Sequence, residues 1–275
     1  MFQMLRKIVQ YPRLTVDYPR RPLKPADIIG KPEVDGSRCN GCGECIKRCP
    51  SAAIATGVSP QDIGFNLDQC IFCALCEDVC PTRAIRITSD FELAQKHRQD
   101  LRKEALREVS PSTDARPSGV DAAASIDEDS YELMGRRIEE RLRKKLGRSL
   151  QIREVDAGSC NGCDYEINAT CNPLNDLERF GIHFVASPRH ADMLLVTGTA
   201  CRNMELALVK TYNATPDPKL VVAVGACACS GGIFQESPMV RKGIDSLVPV
   251  DVYIPGCPPR PQAIIYGILK AVERI

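Results

Sequence analysis

Cys39, Cys42, Cys45 and Cys49 are followed by Pro50, and Cys70, Cys73, Cys76 and Cys80 are followed by Pro81. Both stretches read C-x2-C-x2-C-x3-C-P, and the second lies 31 residues after the first. This is the spacing that binds a pair of [4Fe–4S] clusters, with the fourth cysteine of each run ligating the other cluster. One cluster is therefore expected on Cys39, Cys42, Cys45 and Cys80, and the second on Cys70, Cys73, Cys76 and Cys49. A segment this short buries little apolar surface, so bound metal must supply much of its folding energy. Clusters of this kind mostly carry electrons, which makes the chain a candidate wire.

The remaining composition narrows the class. At 275 residues the chain suits about two domains of roughly 100–200 residues each. A formal net charge of +1 gives no overall attraction to nucleic acid or to an anionic membrane. No apolar run reaches the length of about 18 residues needed to span a bilayer. The opening residues lack a long apolar stretch and a small-residue cleavage site, so no secretory signal is expected. Fifteen cysteines in such a chain point to metal ligands in a reducing compartment rather than to disulfides.

The chain divides into four expected segments. Residues 1–38 form an arm with six Lys or Arg against the single acid Asp17 in its first 25 positions. Residues 2–9 suit a short amphipathic helix. The arm is read either as docking onto a membrane-bound partner or lipid headgroups, or as a solvated arm packing on its own domain. Residues 39–90 hold the repeat, in which each cysteine run leads into an Ala-Ile that starts a strand. Residues 91–150 combine a charged helical pattern over 91–109, a Pro/Ser/Asp/Ala-rich linker over 110–130 and a basic amphipathic helix over 131–147. From 151 to 275, short apolar strands near 151–155, 192–197, 220–224 and 251–254 alternate with helices near 162–170, 203–212 and 261–274. That alternation predicts an α/β domain with a mainly parallel sheet.

Seven further cysteines lie in this last segment: Cys160, Cys163, Cys171, Cys201, Cys227, Cys229 and Cys257. Cys160, Cys201, Cys227 and Cys257 each follow an expected strand, and strand C-terminal ends gather on one edge of a parallel sheet. Cys160 and Cys163 sit at an expected helix N-terminus, which favours an anionic thiolate site. The pattern predicts a third metal centre. Chemistry alone does not choose four ligands among these cysteines, and a zinc tetrathiolate has the same appearance. His183 and His190 have no patterned partner and are expected in loops or caps.

The motifs DAGSCNGCDYE (156–166), SPRHADMLLVTG (187–198), GACACSGGIF (225–234) and VDVYIPGCPPRP (250–261) resemble the small subunit of energy-converting [NiFe] hydrogenases of the formate hydrogenlyase type. They are also similar to the matching subunit of respiratory complex I, and residues 1–100 resemble the two-cluster ferredoxin subunit of the same complexes. The resemblance implies a fusion of two subunits: an α+β ferredoxin-like domain followed by an α/β flavodoxin-like domain. It implies three [4Fe–4S] clusters, the third on Cys160, Cys163, Cys227 and Cys257, next to a Ni–Fe centre on a partner large subunit. Cys171, Cys201 and Cys229 are then spare and are expected as small buried apolar residues. The two-residue spacing of Cys160 and Cys163 favours the hydrogenase type over the complex I type, whose first two ligands are adjacent.

Glu166 matches a glutamate of the family pattern. It is a candidate proton relay beside an anionic cluster, or a first-turn acid that stabilises its helix. The implied partners are the hydrogenase large subunit, further hydrophilic and membrane subunits and an electron donor or acceptor protein, with no nucleic acid. The implied place is the cytoplasmic face of the inner membrane, held there peripherally through those subunits. The competing expectation is a nickel-free, complex-I-like oxidoreductase that reduces quinone or sulfur. A metal-bearing scaffold without redox function is the reading from a different class.

Overall fold

The computed structural model describes residues 29–57, 59–103 and 148–272, together with Arg6, Lys7, Gln10, Thr15, Val16, Tyr18 and Pro19. The expected linker over 110–130, the basic helix over 131–147 and most of the expected helix over 2–9 lie outside the described residues.

The repeat folds as two interlocked halves. Strand β1 (Pro32–Val34), helix α1 (Glu44–Arg48) and strand β2 (Ile54–Thr56) recur 31 positions later as β3 (Ile63–Phe65), α2 (Leu75–Asp78) and β4 (Ile85–Ile87). Each half gives its first strand to the other half's last. β1 pairs antiparallel with β4, with Pro32 opposite Ile87, and β2 pairs with β3, with Ile54 opposite Phe65. The Ala-Ile pairs following the cysteine runs do begin strands, and Ala53, Ile54, Ala84 and Ile85 are buried. Two-stranded ribbons of three residues are marginal alone. The exchange of strands makes each half depend on the other.

The charged pattern over 91–109 behaves differently from expectation. Within its described part only α3 (Arg98–Lys103) is helical. Residues 91–97 run as an irregular segment, because Phe91, Leu93 and Ala94 are buried and a helix would not present all three inward. Gln95 bridges Tyr253 through paired N–H···O bonds of 3.0 and 2.8 Å. This contact covers the outer edge of the larger sheet, a site otherwise open to strand addition.

That sheet contains β5 (Leu150–Asp156), β6 (Ile182–Phe184), β7 (Met193–Thr197), β8 (Leu220–Val224) and β9 (Val252–Ile254), all parallel, in the order β6-β5-β7-β8-β9. This is the flavodoxin-like order, with its topological switch between β5 and β7. The three-residue β6 is absent from the sequence expectation, being too short for a periodic signal. Successive residues alternate between two faces. Ile152, Met193, Leu195 and Val222 pack with α4 (Gly162–Ala169) through Ile167 and with α7 (Pro261–Val272) through Ile264, Ile265 and Ile268. Val155, Leu194, Val196 and Val221 pack on the opposite face with α5 (Arg202–Ala214) through Leu208. Their core is continuous with Ile54, Ile63, Phe65 and Ile85 of the repeat.

The repeat is thus seated on one face of the sheet, and polar contacts fix it there. Ser230 Oγ donates to the Asp68 carbonyl at 2.7 Å, and the Gln235 amide accepts from Gln69 at 2.9 Å and donates to the Ser51 carbonyl at 3.3 Å. Buried Asp68 accepts from Arg98 Nε at 2.8 Å and Arg102 Nε at 3.1 Å, while Arg98 also reaches Asp245 at 3.3 Å. The described residues of the arm divide: 29–38 supply β1 of the repeat, whereas Val16 and Tyr18 lie on the α/β unit. Val16 N–H donates to the Leu174 carbonyl, and Tyr18, 1% exposed, enters the core beside Phe91. Arg179 then binds the carbonyls of Val16 and Tyr18. These contacts hold Val16 and Tyr18 against the α/β unit.

Candidate cluster-binding sites

The fourth cysteine of each run sits in the same small cradle. Ala53 N–H donates to Cys49 Sγ at 3.3 Å and Ser51 Oγ lies 3.7 Å away. Thirty-one residues later, Ala84 N–H donates to Cys80 Sγ at 3.2 Å and Thr82 Oγ1 lies 3.7 Å away. Hydrogen bonds to sulfur favour the thiolate, the form that ligates iron. At Cys80 burial works the other way, but these donors, with the Ile85 and Thr82 N–H groups, hold the thiol below its ordinary value.

Cys49, Cys70, Cys73 and Cys76 line one small pocket, and the shifts of Cys70 and Cys76 follow that grouping. Cys70 is pushed up to about 12, first by burial and then by Cys76, Cys49 and Cys73. Cys76 is also pushed up to about 12, by burial and by Cys73 and Cys49 among others. Cys49 thus stands among the cysteines of the other run. Cys45 is raised by burial, with Cys39 and Cys42 as neighbours.

The third set forms at the sheet's C-terminal edge, where the topological switch places it. Cys160 and Cys163 follow β5 across the left-handed Asn161 that begins α4. Cys227 lies in α6 (Gly225–Ser230) directly after β8, and Cys257 follows β9. Burial raises Cys163, and Cys227, Cys257, Asp164 and Cys160 add to the effect. Cys227 is pushed up to about 11 by burial and by Cys257 and Cys160. Four thiols that repel one another as anions are a donor set for a multivalent cation centre, whose charge reverses that penalty. A Cβ at Gly225 would lie 2.6 Å from Cys163 Sγ, so glycine is needed there for the backbone to approach the thiols. Among the described residues no group of three or more His, Cys, Asp or Glu could hold a single metal ion. A zinc tetrathiolate, with Zn–S near 2.3 Å, would draw its sulfurs to about 3.8 Å. The four sulfurs of a [4Fe–4S] cluster each bind a different iron and stand wider.

Cys257 is raised by burial, then by Cys160 and by Cys73. The last neighbour comes from the repeat, so the third set adjoins the Cys49, Cys70, Cys73 and Cys76 set. Beside this junction a cavity of about 550 Å³ is lined by Phe72, Asp90, Glu166, Cys257, Pro258 and Arg260, among others. Burial raises the Glu166 carboxyl, and Arg260 opposes the shift. Of the three spare cysteines, Cys229 is fully buried with its Sγ toward the Ile254 carbonyl at 3.7 Å, as expected of a small apolar residue. Cys201 is half-buried against Gly158, and Cys171 is exposed, contrary to expectation, because it follows α4 on the outer surface.

Sequence reasoning missed a carboxyl pair under the Cys160 loop. Asp164 accepts from Ser159 Oγ and, at 2.8 Å, from Thr197 Oγ1. Burial works to raise Asp164, but Glu154, Ser159 and Thr197 outweigh it and keep it ionised. Glu154, with Oε1 buried and without a hydrogen-bond partner, is pushed up to about 7, first by burial and then by Asp164. Glu154 therefore holds the proton of the pair. A raised carboxyl stabilises the fold fully below about 4.5 and loses that contribution as pH rises through about 7. After discounting for its partial exposure, Glu154→Gln should remove on the order of 1 kcal/mol of stability loss between pH 6 and 8. Urea midpoints at the two pH values check this, and equal slopes in both proteins would refute it.

A parallel α/β unit with converging thiols, seated on a two-cluster repeat, defines an iron–sulfur redox protein. The chain belongs to the family described as NADH ubiquinone oxidoreductase, 20 kDa subunit, matched over residues 160–271, and it carries a 4Fe–4S dicluster domain over residues 38–85. It is 51% identical over 144 residues to the probable membrane-bound hydrogenase subunit mbhJ of Pyrococcus furiosus, covering 51% of this chain and 86% of that one. It is 53% identical over 131 residues to formate hydrogenlyase subunit 7 of Escherichia coli, covering 48% of this chain and only 51% of that one. To an NADH-quinone oxidoreductase subunit of Geobacter metallireducens it is 52% identical over 113 residues, covering 41% of this chain and 66% of that one. Like these relatives, it is a subunit of an oxidoreductase complex.

Proposed function

We propose that this chain relays electrons through three [4Fe–4S] clusters to or from a Ni–Fe centre on the large subunit of a membrane-associated hydrogenase. The observation that carries the reading is the gathering of Cys160, Cys163, Cys227 and Cys257 at one sheet edge, with Cys73 of the repeat beside Cys257. The clusters would supply one-electron transfer at low potential. Cys39, Cys42, Cys45 and Cys80 form the outer end of the path, Cys49, Cys70, Cys73 and Cys76 the middle, and the third set the end that meets the large subunit. The Ni–Fe centre lies on that partner, since no C-x2-C pair is left over in this chain. Glu166, which lines the same cavity as Cys257, is the candidate to pass a proton toward that interface.

No helix among the described residues is long and apolar enough to cross a membrane. Attachment at the cytoplasmic face would therefore come through partner subunits. The relatives fit a second reading equally, a nickel-free complex-I-like oxidoreductase using the same three cysteine sets. The complex containing this chain, purified without oxygen, should hold nickel, about 12 Fe per copy for three four-iron clusters, and H2-dependent dye reduction. The same iron without nickel or hydrogen activity would replace the first reading by the second. Iron well below that level would refute both.

A further inference from the structure

A cavity of about 270 Å³ opens at the outer edge of the larger sheet, and no cysteine lines it. One wall is a basic run, Lys96, His97, Arg98 and Arg102, and the facing wall is Asp245, Val250 and Tyr253. Gln95 and Tyr253 exchange N–H···O bonds of 3.0 and 2.8 Å, so the two walls stand at β-ladder spacing. Both arginines are held in place. One oxygen of buried Asp68 accepts from Arg98 Nε at 2.8 Å and lies 3.1 and 3.0 Å from Arg102 Nε and Nη2. Arg98 Nη1 donates to the Lys242 carbonyl at 2.8 Å and to Asp245 at 3.3 Å, and the Tyr253 hydroxyl donates to the same Asp245 oxygen at 3.3 Å. Asp68 and Asp245 between them balance the two arginines. Lys96 and His97 remain, and neither has an ion-pair partner among the described residues. The cavity thus keeps an excess of one positive charge, or two when His97 is protonated.

We propose that this cavity binds a phosphate group, either free or carried by a small metabolite. A phosphate bears about −1.5 to −2 charges at pH 7 and three strong acceptor oxygens, which matches the excess better than a single carboxylate does. Arginine meets phosphate through its planar fork and lysine as a point charge, and Arg102 and Lys96 supply one of each. Donors fixed in advance, as Asp68 fixes Arg102, lose little freedom when the ligand arrives. The volume falls below the roughly 300–1,000 Å³ of sites that enclose larger ligands, so the cavity suits one phosphate group rather than a whole nucleotide. None of the lining residues is a candidate cluster ligand, and the site stands apart from the electron path.

The test is isothermal titration calorimetry of the anaerobic, iron-loaded full chain with inorganic phosphate, at an ionic strength held constant with sodium chloride. One phosphate should bind per chain. Lys96→Gln should weaken binding by about tenfold, the least expected from losing a hydrogen bond to a charged group. Lys96→Glu should abolish binding, while Lys96→Arg, which keeps the charge, stays near wild type. Glycerol 3-phosphate titrated in the same way separates the two sources: tighter binding than inorganic phosphate assigns the site to a phosphorylated metabolite, and equal or weaker binding assigns it to free phosphate. If neither saturates the wild-type chain, or if Lys96→Gln binds phosphate as tightly as wild type, the proposal is overturned. Should Lys96→Glu fail to fold, Lys96→Gln against Lys96→Arg decides: weaker binding in Gln alone supports the site, and equal affinities overturn it.

Discussion

Asp68→Ala is expected to destabilise the folded chain by about 3–5 kcal/mol, the usual consequence of removing one partner of a buried ion pair. Asp68 is fully buried, and one of its oxygens takes hydrogen bonds from both Arg98 and Arg102. The Arg98 side chain is 18% exposed and would be left with Asp245 and the Lys242 carbonyl. These groups join the repeat to the α/β unit, so the loss should loosen that seam as well as weaken the fold. Denaturation midpoints of the anaerobic, iron-loaded protein measure the effect. Asp68→Asn, which keeps an acceptor oxygen, should fall between the two. A change below about 1 kcal/mol, within the range of surface pairs, would show that the pair contributes little beyond packing.

Cys49→Ser should lose about four Fe per chain, and the missing EPR signal should match that lost in Cys70→Ser rather than in Cys42→Ser. The reason is spatial: Cys49 neighbours Cys70 and Cys76 although it belongs to the first run. Cys80→Ser should behave like Cys39→Ser by the same crossing. Metal binding in so small a unit is also folding energy, and β1–β4 and β2–β3 each join opposite halves. Either replacement should therefore lower the stability of the whole repeat. If Cys49→Ser and Cys42→Ser lost the same signal, the crossed assignment would be wrong.

How far each feature could be read in advance follows from the range of the interactions involved. The repeat was legible because its information is local: cysteine spacing, the 31-residue offset and the Ala-Ile strand starts all lie within short windows. Strands β5, β7, β8 and β9 were legible for the same reason, as apolar runs bounded by turns. The segment 91–97 misled because its charges suit a helix, while Phe91, Leu93 and Ala94 are drawn into a core made by distant residues. Strand β6 and helix α6 carry too few residues for any period to show. The charges of Lys96, His97, Arg98 and Arg102 were visible in the sequence, but only the bridge from Gln95 to Tyr253 shows that they face Asp245 across a cavity.

By itself, the sequence determined the chemistry of the ligands and the class of both domains, because thiol type, spacing and hydrophobic period are properties of neighbouring residues. Which thiols meet was decided by tertiary structure. Sheet order brings Cys160, Cys163, Cys227 and Cys257 to one edge, and the seating of the repeat brings Cys73 beside Cys257. The burial of Asp68, the raised carboxyl of Glu154 beside Asp164 and the attachment of Tyr18 to the far domain arise the same way. Each depends on groups brought together from more than one part of the chain, and their charge and exposure are set only once the core has closed around them.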